Sequence, residues 1–208
     1  MNSTLKKSLD LVLAEIGKLP EQRRELLSDL AKRIADKTNT ENKLGLVFVC
    51  TQNSRRSFFS EVWAQLAIEH FKLGKLLQAF SAGSEASAIH PNTISTLESQ
   101  GYVIEIGNGN NPLLKVFTDE SAPLIASFSK DLNDKTLPKE NFIAIMVCSD
   151  ADKNCPFVPG ALFRQPVTFD DPKIADGTPE QKSVYEVRSL EIARNMFFLM
   201  SEIDKRIN

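Results

Sequence analysis

The sequence predicts an α/β fold: a parallel open sheet of about four strands with helices on both faces, preceded by an N-terminal helical hairpin. Three observations carry this. Apolar runs such as Leu44 to Val49 and Phe142 to Val147 lack strict alternation, so they read as strands buried on both faces. The runs are separated by segments with helical spacing, which is the order of a parallel sheet. The 208 residues, 42% hydrophobic and 25% charged, suffice for one well-buried domain with something appended.

Taken in order, Leu5, Leu9, Val12, Leu13 and Ile16 have helical spacing, and after Pro20 a second set follows at Leu26, Leu27, Leu30 and Ile34. This hairpin is expected to bury its own apolar faces or to form a dimer contact, and a partner-binding role is the other reading. The polar run 37–43 reads as a linker, giving residues 1–43 as hairpin plus linker and residues 44–208 as the main domain. After the first strand, Phe58 to Phe71 reads as a helix with Trp63, Leu66 and Ala67 toward the sheet, and Leu77 to Phe80 as the second strand. Pro91 and Gly101 bracket another helix, and Tyr102 to Ile106 is a third strand candidate. The stretch from Gly107 to Pro138 opens in turn chemistry and carries weak signals: Leu113 to Phe117 extended, Ser121 to Phe128 helical. Val167 and Phe169 suggest a last short strand. Thr178-Pro179-Glu180-Gln181 reads as a capping box opening a long helix with Val184, Val187, Leu190, Ala193, Phe197 and Met200 on one face.

A net charge of −2 gives no global attraction to nucleic acid or to an anionic membrane, so any anion site must be local. Lys6, Lys7, Asp10 and Glu15 break up the first apolar residues, so neither a leader nor a spanning segment is expected, and the location expected is cytoplasmic. Three cysteines argue against a structural disulfide framework and for catalytic or redox thiols. Nothing in the sequence speaks to oligomeric state.

Three constellations carry chemistry. Cys50 ends the first strand, and Thr51, Gln52, Asn53, Ser54, Arg55, Arg56 and Ser57 lead from it into a helix. A helix N-terminus and a guanidinium both favour a thiolate, and the amides of such a loop form a concave anion site to which Arg56 adds a bidentate fork. Ser57 is placed to hydrogen-bond the sulfur. In Phe169-Asp170-Asp171-Pro172 the acids read either as a turn or as a source of the proton that a departing oxygen needs; Asp171, fixed by Pro172, is the candidate acid, with Asp170 as a charged neighbour. Cys148 and Cys155 are too far apart for a Cys-x2-Cys site, and only His70 and His90 remain to complete a shell, so zinc is not expected. They read either as two thiols without a partner or as a pair that bridges if the polar segment between them deforms until the Cα atoms come within about 7 Å.

Together these residues resemble the thioredoxin-coupled arsenate reductases, which share the low-molecular-weight protein tyrosine phosphatase fold. The family's loop, Cys-Thr-Gly-Asn-Ser-Cys-Arg-Ser, stands here as Cys50-Thr51-Gln52-Asn53-Ser54-Arg55-Arg56-Ser57. Glu61, Trp63, Ser81-Ala82-Gly83 and Pro91-Asn92 fit the same pattern, as do Cys148-Ser149-Asp150-Ala151-Asp152-Lys153-Asn154-Cys155-Pro156 and Phe169-Asp170-Asp171-Pro172. The resemblance implies a relay: Cys50 attacks arsenate held by Arg56 and the loop amides, Asp171 protonates the leaving hydroxyl, Cys148 attacks the Cys50 adduct, and Cys155 resolves the disulfide for thioredoxin to reduce. It also implies a potassium site at Asn53, Glu61 and Ser81, with no other cofactor. Gln52 for glycine, Arg55 for a small residue or cysteine, and a longer segment between Asn108 and Pro138 depart from the pattern. Two further readings are a tyrosine phosphatase using Cys50, Arg56 and Asp171 alone, and a non-enzymatic oxyanion or redox sensor signalling through the hairpin.

Overall fold

The computed structural model describes residues 1–38, 41–119, 122–154 and 157–208, with Asn154 as backbone only. Strand β1 (Leu44–Cys50) is buried at every residue and lies inside a four-stranded parallel sheet. The order is β2 (Leu77–Gly83), β1, β6 (Phe142–Met146), β7 (Ala161–Pro166). Cys50 pairs with Gly83 on one side, and Val49 with Met146 on the other. Cys50 and Cys148 therefore leave the same carboxyl edge from neighbouring strands. This is where the chain departs from β1 in opposite directions, the usual ligand crevice of an open α/β sheet.

The central helix α3 (Arg56–His70) is buried nearly all round because it lies between the sheet and the long helix α6 (Gln181–Ile207). Trp63 is turned toward α6, where its indole N–H donates to Ser189 Oγ at 2.9 Å, instead of facing the sheet. On α6 itself Tyr185, Ser189, Ile192, Ala193, Met196, Phe197 and Met200 are the buried face, and Val187 is exposed. The expected capping box is not formed: Thr178 donates to Ala175 O, and the Gln181 side chain accepts from Gly177 N.

The segment after helix α4 (Pro91–Ser99) departs from expectation. Strand β3 (Val103–Ile106) is not in the main sheet; it pairs antiparallel with β4 (Leu114–Phe117), which pairs with β5 (Ile125–Ser127). The helix expected over 121–128 is thus replaced, in its described part, by a strand. β4 and β5 alternate buried and exposed residues, the mark of a half-covered sheet, but each is too short for the period to stand out. The last parallel strand is β7, just before the expected Val167 and Phe169; it is a partly covered edge, so it lacks a continuous apolar run.

The hairpin forms as α1 (Ser3–Glu15) and α2 (Glu21–Ala35). Leu5, Leu9 and Val12 of α1 and Leu27, Leu30, Ala31 and Ile34 of α2 join the same apolar core as the sheet. Asn2 and Ser8 donate to the carbonyls of Gly101 and Gln100, so α1 also closes the end of α4. Among the described residues, no helix is long and apolar enough to cross a membrane.

Glu202 on α6 ties the hairpin down. It accepts from Ser28 Oγ of α2 and from Arg206, whose other nitrogen donates to Ser28. Burial works against its charge, but the Lys205, Arg206 and Ser28 donors outweigh it and hold the carboxyl at about 2, from an ordinary 4.5. A depressed folded value means stabilisation that is complete above the unfolded value and lost as pH falls toward 2. Glu202→Gln should therefore cost ~1 kcal/mol in urea unfolding at pH 7. The gap to wild type should close as pH is lowered through that window.

Candidate active site

The loop after β1 is shaped by what its carbonyls bond to. Cys50 O and Thr51 O accept the amides of Ser84 and Glu85, Gln52 O accepts the hydroxyls of Ser87 and Ser129, and Ser54 O accepts His90 N and Thr93 Oγ1. With these carbonyls held outward, the amides turn inward. Among the described residues, the N–H groups of Gln52 to Arg56 meet no protein acceptor. The first turn of α3 also has no side-chain cap. Together they form an anion nest at the positive end of a helix.

Asn53 is the pivot. It is fully buried with φ +47°, a left-handed conformation that asparagine tolerates. Its Oδ1 accepts the Lys130 amide at 2.9 Å, which orients the side-chain NH2 toward Ser57 Oγ, also at 2.9 Å. Ser57 Oγ lies 3.1 Å from Cys50 Sγ, and with Asn53 donating to it, its own proton is available for the sulfur. Gly83 is required beside this loop: a Cβ there would sit 2.6 Å from Thr51 O and 2.8 Å from Asn53 N.

Arg56 is buried above the loop. Its two terminal nitrogens donate to Phe169 O at 3.0 Å and Asp171 Oδ2 at 2.5 Å, while Nε is buried with no partner. An orphaned guanidinium nitrogen over a nest of free amides points to an oxyanion. Asp171 caps a short 3-10 helix (Pro172–Ala175) through Lys173 N, which aims its second oxygen at Arg56. Asp170 turns away; its carboxylate is 94% exposed and faces Arg188, so it is not the charged neighbour that the sequence suggested. On the far side, Arg23 of α2 donates to Thr168 O at 2.8 Å and lies over the Phe169 ring, bracing the strand end that carries the acid.

The Arg55 guanidinium, expected in the cradle, is engaged elsewhere: Nε donates to the Tyr185 hydroxyl at 2.6 Å and Nη2 to Asp176 at 2.8 Å. Burial opposes the Asp176 charge, but the Tyr185 hydrogen bond and the Arg55 charge leave its carboxyl below the usual range. What Arg55 leaves to the loop is its backbone N–H. Ser54 Oγ likewise turns outward, to Ala88 O, and the Gln52 side chain is exposed.

Cys148 is fully buried beside the loop. Its sulfur accepts the Ala151 amide at 3.2 Å at the start of α5 (Ser149–Asn154) and is 3.6 Å from the Thr51 hydroxyl. Both Cys50 and Cys148 are free thiols. Cys155 lies outside the described residues.

Behind the loop, Glu61 on α3 is buried and accepts from Ser81 Oγ at 2.5 Å and Ser127 Oγ at 2.9 Å. Lys130, equally buried, donates to Ser127 Oγ at 2.7 Å and to Ser81 O at 3.4 Å. Burial pushes the Glu61 carboxyl up and the Lys130 ammonium down, and each charge partly offsets the other's loss of water. Asn53, Glu61 and Ser81 thus do lie together. No local pattern marks Lys130, because it sits in the segment without periodicity.

A family model for low molecular weight phosphotyrosine protein phosphatase matches residues 45–112. The arsenate reductase of Bacillus subtilis is 31% identical over 142 residues, which is 68% of this chain and 83% of that protein. This chain belongs to the arsenate reductase family. An arsenate reductase of Bacillus licheniformis is 30% identical over 141 residues, with 68% of this chain and 83% of that protein covered. Two solved structures share the fold: an arsenate reductase in the phosphate binding state, TM-score 0.50 and 17% identity over 77% of this chain and 98% of that one, and a low molecular weight protein tyrosine phosphatase from T. tengcongensis, TM-score 0.54 and 17% identity over 76% and 99%. In this member of the arsenate reductase family the glycine position of the signature loop does not need a glycine, because Gln52 does not have positive φ; Asn53 does.

Gly83→Ala should displace the loop without dismantling the sheet. Phosphate affinity by calorimetry is expected to fall at least tenfold, with a stability loss of about 1–3 kcal/mol; unchanged phosphate binding would show that the close approach is not needed.

Proposed function

We propose that the protein reduces arsenate to arsenite through Cys50, Cys148 and Cys155, with a thioredoxin-type dithiol as the final reductant. The observation that carries this reading is the second buried thiol, Cys148, held at the Cys50 loop by Thr51. A phosphatase needs only one. Residues 44–208 would hold all the chemistry, in the cytoplasm and with no nucleic acid or membrane partner.

In the proposed sequence arsenate sits in the amide nest with an oxygen on Arg56 Nε. Cys50 thiolate attacks arsenic, forming an S–As bond, and a hydroxyl leaves as water with a proton from Asp171. Arsenic is still pentavalent at this point. Cys148 thiolate then attacks the Cys50 sulfur; the S–As bond breaks and its electron pair goes to arsenic, so arsenite departs and the two thiols are oxidised to a disulfide. Cys155 attacks Cys148, freeing Cys50, and the external dithiol reduces the Cys148–Cys155 bond. Attack by Cys148 would draw its sulfur from the Ala151 amide toward Cys50.

A cysteinyl-phosphate route is the second reading, favoured by Asp171 lying at the pocket with Cys50 and Arg56, where it would equally protonate an ester oxygen. One assay separates the two: arsenate-dependent NADPH oxidation with thioredoxin and its reductase, beside aryl phosphate hydrolysis. Arsenate turnover is expected in wild type and should drop by about three orders of magnitude or more in Cys50→Ser. Cys155→Ser should stop after a single turnover. Arsenate turnover by Cys155→Ser at the wild-type rate would sink the relay, and hydrolysis needing Cys50 alone would establish the phosphatase.

A further inference from the structure

A potassium site needs oxygen ligands with free lone pairs around an unfilled centre. The residues at the anticipated site do not offer one. The centre is already filled, because Ser81 O and Ser127 Oγ face the Lys130 ammonium, and Asn53 Oδ1 takes the Lys130 amide. The Ser127 hydroxyl joins the two charges, accepting from Lys130 and donating to Glu61. The same lysine, through its backbone, orients Asn53, which holds Ser57 against Cys50.

We propose that the ammonium of Lys130 is the resident cation of the Cys50 loop, standing in for a bound monovalent metal ion, so that the site works without potassium. Lys130 is then a positioning residue: its ammonium compensates the buried Glu61 carboxylate and ties Ser81 O to Ser127 Oγ, which holds the Lys130 backbone amide on Asn53 and so Ser57 against Cys50. The groups facing its ammonium are Glu61, Ser81 O, Ser127, the Phe128 ring at 4.9 Å and, at longer range, Asp134. The inference rests on Cys50 being the working thiol, but not on which oxyanion it attacks.

The test uses the full chain in potassium chloride and in tetramethylammonium chloride at constant ionic strength, reading thermal midpoint and the alkylation rate of Cys50 by peptide mass spectrometry. Neither readout needs arsenate, so a negative arsenate assay leaves the test intact. Wild type should be indifferent to the cation. Lys130→Ala should melt lower and change its Cys50 alkylation rate about tenfold, and potassium, but not tetramethylammonium, should restore both along a saturable curve. Saturable potassium dependence in wild type overturns the proposal, as does a folded Lys130→Ala that matches wild type without potassium or ignores potassium. Glu61→Gln/Lys130→Met, with both charges gone, covers the case where the single variant does not fold: it should fold and ignore potassium. Failure of the double variant to fold in either salt, or a potassium response in it, would also overturn the proposal.

Discussion

The Cys50 loop depends on one constraint: each of its buried carbonyls must find a donor, and the donors all lie outside it. The segment from Ser84 to Thr93 and the hydroxyl of Ser129 take the carbonyls of Cys50, Thr51, Gln52 and Ser54. Because a peptide unit is planar, a carbonyl held outward turns its own N–H inward. The anion nest is therefore a consequence of backbone satisfaction around the rim, with Gly83 supplying the close approach that the rim needs.

From that nest two systems run in opposite directions. Toward solvent, Arg56 joins the loop to Phe169 O and Asp171, so the anion clamp and the acid share one guanidinium. An oxyanion arriving at the loop meets a fork that is already oriented and a nitrogen that has no other partner. Toward the interior, Asn53 joins the loop to Lys130 and Glu61, a buried pair of opposite charges behind Cys50. Removing either member would leave an uncompensated buried charge, the costly half of any buried ion pair.

The hairpin, outside the family resemblance, belongs to the same mechanical system. Its apolar faces complete the α6 side of the core, and Arg23 reaches the strand end that presents Asp171. Arg55 contributes from the opposite side, where its ties to Tyr185 and Asp176 fasten the segment after the acid to α6 and to α3. Asp171 is thus braced from two directions, by Arg23 and by Arg55. The Arg23 contact is not readable locally, since an arginine on an amphipathic helix looks the same whether it faces water or a carbonyl far along the chain.

Leu44 to Cys50, the cysteine-to-arginine spacing and the Asp171-Pro172 step were legible from the sequence because each is local: burial on both faces excludes polar residues from a run, and a helix start fixes where an anion can sit. The antiparallel β3-β4-β5 sheet was not legible, because short half-covered strands leave too few residues for a period to register, and the side-chain partners of Arg55 and Asp170 depend on α6, far along the chain. By itself, then, the sequence determined the α/β class, the edge of the sheet where Cys50 and Cys148 emerge, and a thiol beside an anion-shaped loop. Only the tertiary structure decided that Lys130 stands behind that thiol and that Arg55 turns away from it. Charge placement inside a protein is set by which distant oxygens the fold gathers within hydrogen-bond reach, and no spacing along the chain encodes that.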